Sequence, residues 1–185
     1  AGRWEPPDPE AFTILDENVN SVYAIVKDSS YKPPVRSPQN ITILKDLWVS
    51  DFVLEVKLKS TTADYGHRDM CVIFGYQDPS HYYYVHFGLK ADAHSNSIFL
   101  VNGEPRVSIA TSRTSGTRWL DDTYHTVRIV RHVDSGTIKV YFDDMGKAAM
   151  IARDTTLKKG GFGVGSFDDT GHIDDFRDWG KKAEK

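Results

Sequence analysis

The chain has one cysteine, Cys71, no apolar run approaching the length of a membrane span, no excess of either charge and no stretch with a helical period. Each absence excludes something. A single thiol cannot close an internal disulfide and leaves no cysteine cluster for structural zinc, so cysteine does not fix the compartment. A membrane helix needs about 18 or more consecutive apolar residues, so no membrane insertion is expected. The formal net charge of −3 comes with basic residues scattered singly, and no nucleic-acid partner is expected. No H-x-H or H-E-x-x-H spacing supports catalytic zinc, and no nucleophile elbow surrounds any serine. No leader is legible, and the start Ala1-Gly2-Arg3-Trp4 would suit a chain left after cleavage.

What is present is a succession of short strands. At 185 residues the chain fits one domain, long enough to bury roughly 70% of the surface its unfolded form exposes. Residues 1–10 hold Pro6, Pro7 and Pro9 and read as an arm lying on the domain. Residues 11–180 form a single β-sandwich, and 181–185 a tail. Apolar runs at Phe12 to Leu15, Val22 to Val26 and Ile41 to Leu44 are short strands. Between the last two, Ser29 to Gln39 is a loop with Pro33, Pro34 and Pro38. Asn40-Ile41-Thr42 is a glycosylation sequon. Phe52 to Lys59 alternates cleanly, with Phe52, Leu54, Val56 and Leu58 on one side and Val53, Glu55, Lys57 and Lys59 on the other.

Further strands follow at Ile98 to Val101, His125 to Arg131, Ile138 to Phe142, Met150 to Ala152, the glycine-spaced GFGVGS, and Ile173 to Trp179. Asn102-Gly103 favours a two-residue hairpin turn that would set Phe99 opposite Arg106 and send Val107 into the core. At most one helical turn fits, near Thr155 to Lys158. Short strands at regular spacing with turn chemistry between them specify an all-β fold, a two-sheet antiparallel β-sandwich.

The most informative stretch is Met70 to Gly88, MCVIFGYQDPSHYYYVHFG. Two strand-like runs meet at Gln77-Asp78-Pro79-Ser80 and form one hairpin with a four-residue loop. Pairing outward sets Phe74 opposite Tyr83, Ile73 opposite Tyr84, Val72 opposite Val85 and Cys71 opposite His86. Alternation then gives two different faces. Met70, Val72, Phe74, Tyr76, Tyr83, Val85 and Phe87 face a core. Tyr82, Tyr84 and His86 share the other face with Gly75 and Cys71, as if the sheet packs with its back and works with its front.

The later strands carry a resemblance. FVLEVKLKS, the IFGYQDPSHYYYVHF hairpin, WLDDTYHTVRIVR, GTIKVYFDD and GGFGVGSFDDTGHIDDF together resemble the concanavalin A-like lectin/glucanase superfamily, in particular its laminin-G-like and bacterial sugar-active jelly rolls. The middle element is similar to a Trp followed by an H-x-V-x-V-x-R strand, with Trp119 displaced to six residues before His125. The resemblance covers roughly residues 50–180. It implies a jelly roll of two antiparallel sheets, one curved, whose concave face commonly binds glycans. It also implies an extracellular or periplasmic setting and a polysaccharide or oligosaccharide partner. The chain is read as a monomer.

Sugar rings stack on aromatic faces and their hydroxyls need planar polar partners. Tyr82, Tyr84, His86, Arg106 and Phe99 meet that description on one sheet face, extended by His67 and Asp69 if the register holds. Tyr82 and Tyr84 serve equally well as cross-strand pairs that stabilise the sheet. Whether chemistry accompanies binding stays open. Paired-carboxylate hydrolysis needs two acids flanking the scissile bond, and the E-x-D-x-E string of laminarinase-type enzymes is absent. A polysaccharide lyase outranks it, with Tyr84, His86 and Arg106 as catalytic candidates: a cation to neutralise a uronate and a Tyr or His to move the proton. A protein-interaction module of laminin-G type is the third reading. No motif requires a cofactor. Asp168, Asp169, Asp174 and Asp175 form the densest acid cluster and could bind a structural calcium with Asp16 or Glu17, or simply cap a turn.

Overall fold

The alternation at Phe52 to Lys59 becomes part of one of the two longest strands: Phe52, Leu54, Val56 and Leu58 are buried while Val53, Glu55 and Lys57 are half-exposed. The computed structural model describes residues 3–17 and 19–185. Ala1 and Gly2, the start of the expected arm, lie outside them. In chain order the strands are β1 (Trp4–Glu5), β2 (Phe12–Glu17), β3 (Asn20–Ile25), β4 (Asn40–Leu44), β5 (Val49–Ser60), β6 (Cys71–Asp78), β7 (His81–His86), β8 (Ser97–Asn102), β9 (Val107–Ser108), β10 (Ala110–Arg113), β11 (His125–His132), β12 (Thr137–Phe142), β13 (Met150–Arg153), β14 (Gly161–Ser166) and β15 (Gly171–Lys182). A single 3₁₀ turn at Pro9–Ala11 is the helical element among the described residues, capped by Asp8. The turn expected near Thr155 to Lys158 is irregular backbone instead; Arg131 inserts there and donates to the carbonyls of Asp154 and Leu157.

The strands form two antiparallel sheets. One has the order β1-β4-β14-β6-β7-β8-β9, the other β10-β13-β12-β11-β5-β15-β3-β2. Their inner faces enclose one core in which Val72, Phe74, Tyr83, Val85, Ile98 and Phe162 meet Leu54, Val56, Leu58, Val127, Ile129 and Val140. Each fully buried aliphatic or phenyl side chain contributes roughly 1.5–3 kcal/mol. The arm is tied down through β1, where Trp4 and Glu5 pair with Leu44 and Ile43.

Trp119 and His125 meet in space despite their displacement in sequence. A turn at Asp121 and Asp122 loops the chain out, and the indole lies edge-on to the imidazole at 5.5 Å. The indole N–H donates to the Phe87 carbonyl at 2.9 Å, and Asp143 holds the His125 ring at 2.7 Å. Both side chains are structural. The sequon is structural too. Asn40 is buried, its amide donating to Ser166 Oγ and the Asp169 carbonyl and accepting from the Ser29 N–H.

Among the described residues no helix is long and apolar enough to cross a membrane.

Candidate functional site

The β6–β7 hairpin keeps the expected register where it matters: Cys71 opposes His86, Ile73 opposes Tyr84 and Phe74 opposes Tyr83. Its tip differs. Asp78 pairs with His81, leaving a two-residue loop of Pro79 and Ser80, and Asp78 caps it by accepting from the Ser80 N–H at 2.7 Å. The ladder absorbs the difference in a bulge at Gly75, where φ is +61°, a conformation glycine adopts without steric cost. The bulge rolls Tyr76 off the inner face. It packs on the outer face instead, with its ring 5.6 Å from Tyr82.

That outer face is not open. Tyr82, Tyr84 and Phe99, expected on a solvent-facing binding surface, are 1%, 0% and 1% exposed. With Ile41, Cys71, Ile73 and Val101 they form a second apolar cluster, closed by Tyr31, Val35, Tyr76 and Phe167. The cover is the proline-rich segment 29–39, an irregular strap lying over the sheet. Tyr31, Pro33 and Val35 turn toward the sheet while Lys32, Pro34 and Arg36 face solvent. The prolines Pro33, Pro34 and Pro38 fix φ along a backbone that bends at residues 34–37, and Asp8 fastens its start by accepting from the N–H and hydroxyl of Ser30. Tyr82 and Tyr84 therefore act as packing residues: Tyr84 stacks on Phe99 at 5.1 Å.

At one end of this cluster the polar candidates converge. Arg106 does not sit opposite Phe99 on a strand. The loop between β8 and β9 takes four residues, Gly103 to Arg106, and Phe99 pairs with Ser108. This slip leaves Val107 exposed instead of in the core, and Arg106 folds back over the sheet. Its N–H donates to the Arg36 carbonyl, its Nη2 to the His94 carbonyl, and its guanidinium lies 4.0 Å from the Phe167 ring centre and 5.3 Å from that of Phe99. His86 reaches the same two rings, at 5.5 and 6.3 Å. So does Tyr84, whose ring lies 6.4 Å from Phe167.

Asp69 completes the group. It is fully buried, accepts from the Cys71 thiol at 3.2 Å and from the Phe167 N–H, and lies 3.4 Å from His86 Nε2. His67 falls outside, exposed at the rim and bonded to Asp92 at 2.6 Å.

Burial sets the protonation states. The His86 imidazole is pushed down to about 3 by desolvation, then by the Arg106 and His67 charges, and is neutral near pH 7. Its Nδ1 accepts from the Asn96 N–H at 3.3 Å, which places its proton on Nε2, facing Asp69. Desolvation and the neighbouring Asp169 raise the Asp69 carboxyl. The Cys71 thiol is raised by burial and by Asp69, which keeps it from acting as a nucleophile.

The acid quartet does not form one centre. Asp168 and Asp169 lie at the β14–β15 turn with Asp69, and Tyr65 donates to both at 3.3 and 3.0 Å. Asp174 and Asp175 sit where β15 bulges; one accepts from Asn20 at 2.7 Å and the other pairs with Lys57 at 2.7 Å. Asp16 accepts from Ser21, and Glu17 is the hub of Lys59, Tyr124 and His172. Among the described residues, the carboxylates close enough together to share a cation are Asp69, Asp168 and Asp169. Asp69, Cys71 and His86 also lie within ligating distance of each other, but a proton on Nε2 occupies the lone pair a metal would need.

No protein-family model and no curated protein sequence matches the chain. Solved structures do. Carbohydrate-binding module CBM66 from Bacillus subtilis superposes with a TM-score of 0.66 at 16% identity, over 95% of this chain and 94% of that one. Domain 4 of AbnA, a GH43 extracellular arabinanase from Geobacillus stearothermophilus, gives 0.57 at 12% identity over 94% and 77%. The family 7 polysaccharide lyase AlgAT5, an alginate lyase, gives 0.54 at 15% identity over 98% and 95%. At these identities the likeness shows the fold, a two-sheet jelly-roll sandwich shared with sugar-active proteins.

Two parts of the site were missed by the sequence reading, Phe167 and the strap. Phe167 precedes the acid pair in GSFDD, where the acids drew the attention. The alternation of Tyr31, Pro33 and Val35 against Lys32, Pro34 and Arg36 was a usable signal of a covering segment.

Proposed function

We propose that the protein recognises a polysaccharide, gripping it in the groove between the strap and the Phe167-Asp168 turn. The observation that carries the reading is the position of that groove, about 700 Å³ in volume and lined by Tyr31, Lys32, Arg36, Gln39, Phe167 and Asp168. It supplies aromatic faces for sugar rings beside planar and charged groups for hydroxyls. Two of its walls, Arg36 and Phe167, touch Arg106 directly, so they stand between the groove and the polar cluster. The concanavalin A-like, laminin-G-like assignment and an extracellular or periplasmic setting agree with this reading, as do neighbours that are a carbohydrate-binding module and an arabinanase domain.

One observation favours a second reading, a polysaccharide lyase: Tyr84, His86 and Arg106 converge, and the imidazole is neutral as a proton acceptor must be. Against it, Tyr84 and His86 are 0% and 3% exposed beneath the strap and Phe167. Binding without turnover is the reading the geometry supports best.

A polysaccharide array followed by calorimetric titration tests it. Phe167→Ala is expected to weaken binding by about tenfold, ~1.4 kcal/mol. An array with no binder, or an F167A protein that binds like the parent, sinks the proposal. Release of unsaturated uronates, abolished by His86→Ala, would establish the lyase.

A further inference from the structure

Close packing accounts for two of the three outward glycines of β14. Phe162 and Val164 point into the core, so Gly161, Gly163 and Gly165 lie on the outer face of the sheet. A Cβ atom at Gly163 would stand 2.6 Å from the Thr42 carbonyl oxygen, and one at Gly165 would stand 2.0 Å from that of Asn40. Neighbouring backbone therefore requires glycine at both. Gly161 is under no such demand: its Cβ would meet nothing closer than the Leu47 carbonyl oxygen at 3.4 Å, an ordinary contact.

The space it leaves is the floor of a second cavity, about 400 Å³ in volume, whose walls include Trp48, Tyr76, Gln77, Lys45 and Glu5. Half-buried Trp48 joins neither apolar cluster, and its cationic neighbour, the Lys159 ammonium, is 5.9 Å from the ring centre. Tyr76 rests on Tyr82. Among the described residues neither the Trp48 indole N–H nor the Tyr76 hydroxyl is hydrogen-bonded, and neither is sealed from solvent. Beside them stand the Lys45–Glu5 ion pair at 2.8 Å and the Gln77 carboxamide, whose nitrogen donates to the Lys159 carbonyl. Aromatic surfaces with unclaimed polar tips next to planar and charged groups are again what a sugar ring and its hydroxyls require.

The two cavities lie toward opposite ends of one sheet face. Gly161 opens β14 and Phe167 follows its end, while Leu44 closes β4 and Gln39 precedes it. At about 3.3 Å of rise per residue, these spacings put the cavities roughly 17–20 Å apart. Tyr31 of the first cavity and Tyr76 of the second pack on the same apolar cluster.

We infer that the Trp48–Tyr76 cavity is a second glycan subsite, taking another stretch of the polysaccharide held in the strap groove, so that the protein selects chain segments long enough to reach both. The inference rests on the polysaccharide reading above and adds a length requirement to it. Two contacts on one polymer reinforce each other, because the second forms at the effective concentration set by the sugars between them.

Calorimetric titration with a size series, disaccharide to decasaccharide, prepared from each polysaccharide bound on the array tests the inference. Parent affinity is expected to rise at least about tenfold along the series. Trp48→Ala removes a wall and Gly161→Val fills the floor; each should erase that rise and leave disaccharide binding within about twofold. Tyr76→Phe deletes only a hydroxyl that the fold does not use, and should weaken decasaccharide binding about threefold with an unchanged melting temperature. Phe167→Ala, in the first groove, should weaken every size. Affinity that does not rise with length, or a rise that survives both W48A and G161V, overturns the inference and leaves the strap groove standing. If neither of those variants folds, Y76F decides, and undiminished decasaccharide binding overturns it. Failure of every size to bind removes both readings.

Discussion

Gly160 lies back to back with Gly75: a Cβ atom on Gly160 would stand 2.3 Å from the Gly75 carbonyl carbon and 2.6 Å from its oxygen. The bulge that turns Tyr76 outward is possible because neither residue has a side chain there. Gly160→Ala is accordingly expected to destabilise the fold by ~3 kcal/mol, the upper range for forced overpacking, since the obstacle is backbone and cannot rotate away. Urea denaturation midpoints check this, and an unchanged midpoint would show that the bulge yields without cost.

Asn40 holds the strap to the sheet. Its carboxamide satisfies the half-buried Ser29 N–H on one side and the buried Asp169 carbonyl on the other. Asn40→Ala removes the partner of the Ser29 N–H and leaves the Asp169 carbonyl with the Ser166 hydroxyl alone, and should destabilise the fold by about 1–3 kcal/mol, read from the urea denaturation midpoint.

Acid should unfold the protein in stages. His86 has a folded pKa of about 3 against 6.5 when exposed, so the unfolded chain binds the extra proton first. Its contribution is fully present above pH 6.5 and is lost as pH falls toward 3. Glu17 behaves in the same sense at lower pH. Its carboxyl is pulled down to about 2 by the hydrogen bond from Lys59, with Tyr124 and His172 assisting, and its contribution disappears between about 4.5 and 2. In His86→Asn the slope of unfolding free energy against pH should flatten between 6.5 and 3, whatever the variant's absolute stability. Parallel curves for variant and parent would contradict the burial argument.

Much of the fold was legible because the information was local. The β5 alternation, the turn residues and the pairing of Cys71 with His86 depend on neighbours within one hairpin. The shorter turn at Pro79-Ser80 changes the pairing only at the tip, because the bulge at Gly75 restores the expected partners from Phe74 and Tyr83 onward; Tyr83 therefore lies in the core and Tyr82 and Tyr84 on the other side, as alternation implies, and Tyr76, inside the altered part, does not. What lay on that other side was not legible. Aromatic side chains beside a histidine describe a ligand surface and a covered cluster equally well, and the cover arrives from a segment far upstream. The acids were misjudged for a related reason: adjacency in FDDTGHIDDF does not survive the change from turn to strand, and Asp69, distant in sequence, takes the place expected of Asp174 and Asp175.

The strap has a consequence for how the molecule comes apart. With Val72, Phe74, Tyr83 and Val85 packed below and Cys71, Ile73, Tyr82 and Tyr84 packed above, the β6–β7 ladder is the middle layer of three. An ordinary sandwich can fray a sheet from its wet side. Here that route is closed, and amide hydrogen exchange in this ladder is expected to require loss of the whole fold.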